Sequence, residues 1–146
     1  MSQNNTAILY VGLDVAKASL PLDLAGQSHP LAHDAQGHAQ LLKLWRAHPG
    51  AHVVCEATGG YEQPVVRVLH AASIPVSVVE AGRVRHFAKA KGLRAKTDPI
   101  DAAVLSEYGR TFQPAATPAP TAQQARLAEL STRRLRRGHR PTHRRR

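Results

Sequence analysis

Two short apolar runs in this chain each end on a carboxylate, and that pairing narrows the folds open to it. The first is Ala7-Ile8-Leu9-Tyr10-Val11-Gly12-Leu13-Asp14 and the second His52-Val53-Val54-Cys55-Glu56. Both have the length and apolar content of buried strands. Gly12 allows another backbone to come close to the first. Pro75 to Val79 reads as a further strand, and the segments Lys17 to Leu24 and Ser28 to His33 as two weaker ones. Leu41, Leu42, Leu44 and Trp45 space a helix from about His38 to Ala47, stopped by Pro49-Gly50. Further helices are expected from Tyr61 to Ala72, with Pro64 in its first turn, and from Ala81 to Lys91, closed by Gly92. The order β-β-β-α-β-α-β-α-α predicts a mixed five-stranded α/β sheet with helices on both faces. Ligands of such sheets gather beyond the carboxyl ends of the strands, where Asp14 and Glu56 fall.

A second pair of acids lies in Ala95-Lys96-Thr97-Asp98-Pro99-Ile100-Asp101-Ala102. Pro99 disfavours the α region at Asp98 and suits a first helical position itself, so Asp98 is expected to cap a helix running to about Gly109. Asp101 then follows one turn along on the same side. Capping and dipole complementation alone would account for both acids. Combined with Asp14 and Glu56 they make four carboxylates that one fold could bring together, a donor set for Mg²⁺ or Mn²⁺. Two such ions suit phosphodiester cleavage. Asp14, on a central strand, is the best candidate to bridge them.

Charge separates the chain into two parts. Residues 131–146 hold eight arginines and no acid, so residues 1–130 carry 12 basic and 10 acidic side chains. The expected organisation is a catalytic domain over 7–112, a Pro/Ala linker over 113–122, too proline-rich to pack, the start of a helical region over 123–130 and a disordered Arg-rich tail over 131–146. No apolar run is long enough for a membrane span, and the first residues lack signal-peptide character. The single Cys55 excludes an intramolecular disulfide, fits a reducing cytoplasm and reads as a core residue.

Arg83, Arg85, Lys89, Lys91, Arg94 and Lys96, with His86 and no acid among them, form a one-sign segment suited to nucleic-acid backbone. Val84, Phe87 and Ala88 could instead make it a solvated helix with one buried stripe. Gly59-Gly60 lacks the Lys-Ser/Thr of a phosphate loop and reads as a tight turn. Tyr61 could stack on a base or pack on the helix surface, and Trp45 reads as core. The nine histidines are scattered and read as non-ligands.

Three separated motifs carry a family resemblance. Tyr10-Val11-Gly12-Leu13-Asp14-Val15-Ala16-Lys17, Glu56-Ala57-Thr58-Gly59-Gly60-Tyr61-Glu62 and Arg94-Ala95-Lys96-Thr97-Asp98-Pro99-Ile100-Asp101-Ala102 resemble the N-terminal domain of the DEDD transposases of bacterial insertion sequences, relatives of the Piv/MooV invertases. The resemblance implies a RuvC-like fold of the RNase H superfamily, with Asp14, Glu56, Asp98 and Asp101 as the catalytic acids at Mg²⁺. It also implies DNA partners (the element's ends and its target), a structured guide RNA and a homo-oligomeric full-length protein. Family members continue into a helical region and a serine-bearing second domain, which the Arg-rich ending here does not resemble. The reading is therefore a truncated transposase whose strand exchange is incomplete. The alternatives are a non-catalytic nucleic-acid-binding remnant and a RuvC-like junction nuclease. Sugar kinases and actin-like ATPases are disfavoured, because no glycine follows Asp14 in Val-Ala-Lys-Ala-Ser.

Overall fold

A computed structural model describes residues 7–93 and 100–137. Five strands, β1 (Tyr10–Leu13), β2 (Leu22–Leu24), β3 (Gln27–His29), β4 (His52–Glu56) and β5 (Val76–Val79), form one sheet in the order β3-β2-β1-β4-β5. β2 runs antiparallel to both of its neighbours, whereas β4 and β5 extend the sheet in parallel from β1. The helices are α1 (Ala35–Arg46), α2 (Gln63–Ala71), α3 (Ala81–Ala90), α4 (Ala102–Phe112) and α5 (Ala122–Arg137). The expected mixed five-stranded sheet with helices on both faces is what the chain forms. Among the described residues no helix is long and apolar enough to cross a membrane.

Strand alternation divides the core in two. Val11, Leu13, Val53, Cys55 and Val76 point to one face, where Leu41 of α1 and Val65 and Leu69 of α2 cover them. Tyr10, Val54 and Val79 point to the other, under Val84, Phe87 and Ala88 of α3 and Val104, Leu105 and Tyr108 of α4. Cys55 is a free, fully buried thiol, and burial first, then the nearby Glu62 and Glu56 charges, push it up to about 12. It is a core residue, as expected, and no nucleophile at neutral pH.

Gly12 lets α4 lie directly on β1. A Cβ there would stand 1.9 Å from the Ala102 carbonyl oxygen, and at the helix's other end one on Gly109 would stand 2.8 Å from the Tyr10 ring. Between these contacts the Ser106 hydroxyl accepts from the Gly12 N–H (2.7 Å) and donates to the Asp23 carbonyl oxygen (3.3 Å). The helix is thus tied by a buried hydroxyl to the two strands it crosses.

Several elements differ from expectation. α1 starts three residues earlier, because Asp34 caps it through the Gly37 N–H (2.8 Å). α4 starts at Ala102 with Asp101, not Asp98, as its N-cap; Asp98 and Pro99 lie outside the described residues. The linker does pack. Thr117 N–H donates to the Val76 carbonyl (2.8 Å), its Oγ1 accepts from Val78 N–H (3.0 Å), and its carbonyl oxygen lies 3.0 Å from His70 Nε2. Proline removes donors, but the carbonyls of Pro114 and Ala115 and both groups of Thr117 remain free to bond along β5. Finally, α5 runs through Arg137, well into the stretch expected to be disordered from residue 131. Arginine is a good helix former, so helix can extend into this stretch, and Leu127 and Leu130 before it are exposed. Residues 138–146 of the expected tail lie outside the description.

Candidate metal centre

β1 and β4 are parallel neighbours in a register that pairs Leu13 with Cys55, so the next residue on each chain is an acid, Asp14 beside Glu56. Parallel neighbours in register point the same way, and these two continue the face of Tyr10, Gly12 and Val54, beneath α3 and α4. The Asp14 backbone is fixed by its N–H donating to Pro21 O (2.9 Å), and the chain after Glu56 by Ala57 N–H donating to Val79 O (2.9 Å). Both side chains are half-buried. Burial raises the Asp14 carboxyl above its ordinary range. Glu56 is raised by burial and further by the Asp14 charge, against the opposing pull of the Arg85 guanidinium. Glu56 Oε1 is buried with no hydrogen-bond partner among the described residues. A desolvated carboxylate oxygen with no donor, next to a second carboxylate, is an arrangement that a hard cation would satisfy.

Asp101 occupies the N-terminus of α4, where its Oδ1 accepts from Val104 N–H (3.0 Å). The carbonyl of the next residue, Ala102, presses on Gly12, two residues before Asp14, so the helix start lies over the carboxyl end of β1. The structure therefore pairs Asp14 with Glu56 and sets Asp101 on the helix laid across the same strand. No group of three or more His, Cys, Asp or Glu is placed to hold one ion among the described residues, which do not include Asp98.

α3 buries Val84, Phe87 and Ala88 and exposes Arg83, Arg85 and Lys89, with Lys91 exposed just beyond its end. Acids from outside the segment meet part of this charge. Glu80 lies 3.6 Å from Arg83, and Glu107 of α4 feels both Arg110 and Lys91. Arg85 is the residue of this set whose charge reaches Glu56. Arg94 and Lys96 lie outside the described residues.

Sequence reasoning overlooked Glu62. Its Oε2 accepts from Thr58 N–H (3.1 Å), Thr58 Oγ1–H (2.8 Å) and Gly60 N–H (3.0 Å), closing the loop that follows Glu56. Burial works against its ionisation, but these hydrogen bonds outweigh that and hold the carboxyl below its ordinary range. Gly59 (φ +74°) and Gly60 (φ +115°) provide the left-handed backbone of this turn, and Tyr61 emerges from it 51% exposed. The signal was present in Thr58-Gly59-Gly60-Tyr61-Glu62, a hydroxyl and a carboxylate flanking a glycine pair.

Comparison with known proteins decides the family. The transposase model for DEDD enzymes of IS110-type elements matches residues 11–140. The chain belongs to that family. Pilin gene-inverting proteins of Moraxella lacunata and Moraxella bovis are 30% and 29% identical to this transposase-family chain over 113 residues. These alignments cover 72% of the chain and 35% of each relative, so the chain spans about a third of their length. A Thermus thermophilus RuvC structure superposes with a TM-score of 0.48 at 15% identity, covering 74% of this chain and 99% of that one. The sheet of this DEDD family member is mixed and five-stranded, in the order β3-β2-β1-β4-β5. Transposases of the family generally use divalent metal ions.

Proposed function

We propose that this chain provides the acidic, metal-dependent part of a DNA strand-cleaving centre in an insertion-sequence transposase. The observation that carries the reading is the pairing of Asp14 and Glu56 at the carboxyl ends of two adjacent parallel strands, with Glu56 Oε1 buried and without a donor. In this proposal Asp14, Glu56, Asp98 and Asp101 hold Mg²⁺ or Mn²⁺. When bound, such ions supply Lewis acidity toward a phosphodiester and neutralise charge on its oxygens. The protein's own part is positioning. The strands fix Asp14 and Glu56, and α4, seated on Gly12, brings Asp101 to the same end of β1. Arg85, exposed on α3 with its charge reaching Glu56, would be the cation nearest the acid pair to meet a substrate phosphate. Arg83, Lys89 and Lys91, with Arg94 and Lys96, extend the contact along the nucleic-acid backbone.

The relatives' name states that they invert a pilin gene, which supports site-directed DNA rearrangement as the setting. In the same proposal a structured guide RNA shares the basic surface, the working enzyme is a homo-oligomer, and the serine chemistry implied by the family belongs to a different domain from this one. The test is Mn²⁺ binding by calorimetry, together with nicking of supercoiled or branched DNA by the full chain. Asp14→Asn and Glu56→Gln should each remove Mn²⁺ binding, and Asp14→Asn should abolish any nicking. Metal binding or nicking that survives these changes refutes the assignment.

A further inference from the structure

A second cluster is a pair of histidines. His33, at the end of the loop before α1, and His38, in the first turns of α1, have ring centroids 5.3 Å apart at an interplanar angle of 59°. The Nε2 atom of each is buried without a hydrogen-bond partner among the described residues. These two atoms and Glu56 Oε1 are the buried side-chain polar atoms left in that condition there. The expectation that the histidines are scattered therefore fails at this pair. Buried polar atoms are almost always satisfied, so two neighbouring orphans on side chains of one type call for a common partner.

The surroundings define what that partner is. His33 Nδ1 lies 2.7 Å from the Ala16 carbonyl oxygen, and a carbonyl only accepts, so Nδ1 carries the proton and Nε2 presents a lone pair. Metal-binding histidines are held in this same way, one ring nitrogen donating to a carbonyl while the other ligates. The pose is rigid. His33 N–H donates to Ala18 O (3.1 Å), His38 N–H to Asp34 O (2.9 Å), and Gly37 packs so closely on Ala32 that a Cβ would stand 1.6 Å from its carbonyl oxygen. Two imidazoles bound tetrahedrally at about 2.0–2.1 Å from one ion have ring centres about 5 Å apart.

We propose that His33 and His38 form a site for a borderline transition-metal cation such as Zn²⁺, bound through both Nε2 atoms and completed by water. Imidazole selects such ions, whereas the Asp14–Glu56 oxygens select Mg²⁺ or Mn²⁺, so the two centres differ in chemistry as well as place. The Ala16 carbonyl that orients His33 is two residues beyond Asp14 in the chain.

The test is Zn²⁺ titration of the full chain in excess Mg²⁺, by calorimetry and by long-range ¹H–¹⁵N spectra of the imidazoles. Wild type should bind one equivalent, with the Nε2 resonances of two histidines shifting together. His33→Gln and His38→Gln should each weaken binding at least as much as losing an outer-shell partner does, about 10- to 100-fold. The double variant should lose the equivalent altogether, and Asp14→Asn should leave it intact. Since either glutamine could disturb the loop, far-UV dichroism of each variant must match wild type; His38→Gln, the variant not holding Ala16, decides if His33→Gln fails this. Unchanged Zn²⁺ affinity in a folded His38→Gln chain overturns the proposal, as do spectra in which these two rings do not move.

Discussion

Gly12 lies beneath the carbonyl of Ala102 so closely that the smallest side chain would collide with it, and that contact seats the Asp101 helix over the Asp14 strand. The obstruction is backbone, which cannot rotate away. Gly12→Ala should therefore cost about 1–3 kcal/mol, the usual range for overpacking. Urea denaturation measures the loss, and Mn²⁺ affinity should fall with it, because α4 must lift. A variant as stable as wild type would show that α4 is not seated on this glycine.

The acid pair makes the metal-free protein pH-dependent. Both carboxyls are raised in the folded chain, so folding gains stability below the ordinary carboxylate values of 3.8 and 4.5 and loses it as pH rises through the folded ones. At pH 7 Asp14→Asn and Glu56→Gln should raise Tm in metal-free buffer. Adding Mg²⁺ should raise the wild-type Tm, by about 2.7 kcal/mol of stability at a hundredfold excess over Kd, and leave Asp14→Asn unmoved. Scanning calorimetry with and without metal distinguishes the two effects.

His52 contributes with the opposite sign. Ser77 Oγ donates to Ala115 O (2.8 Å), so it accepts from His52 Nε2–H (2.7 Å). Burial lowers the His52 pKa, and the unfolded chain then takes up a proton that the folded chain resists. Stability should fall as pH drops below the ordinary value of 6.5, with His38 adding to the slope. His52→Gln should flatten the part of the Tm–pH curve that His52 causes. Ser77→Ala, which orphans the ring nitrogen and releases two carbonyls, should cost about 1–3 kcal/mol by denaturant titration.

Glu62 should matter to the loop rather than to the core. Glu62→Ala leaves three donors on Thr58 and Gly60 to water and frees the turn that carries Tyr61. Amide exchange at Thr58 and Gly60 should accelerate while α1 and β1 keep their protection. Unchanged exchange would mean that Gly59 and Gly60 shape the turn without it.

Local pattern made some elements readable in advance. β4 ends where an apolar run meets Pro49-Gly50 on one side and Glu56 on the other, and no tertiary contact was needed to see it. Gly12 was read as a place of close approach, although only the fold reveals that Ala102 makes the approach. The α4 cap was misread because two aspartates three residues apart satisfy the same local rule, and the docking of Ala102 on β1 chooses between them. The nearness of His33 to His38 depends on a loop that folds Ala16 back onto residue 33, which no spacing rule encodes. Thr117 was lost inside a proline-rich stretch, since composition says nothing about where one hydroxyl and one amide will be matched.

That threonine has a consequence for the chain's behaviour in company. Seated beside Val76 and Val78, it occupies hydrogen-bonding groups that β5, at the end of the sheet, would otherwise offer to any extended strand passing by. Shortening the chain to end at Phe112 would bare that rim, and the product should aggregate through it more readily, as concentration rises, than the longer chain does. The prolines on either side of Thr117 then act as a guard, because a segment poor in amide hydrogens can shield a strand without becoming a template for the next one.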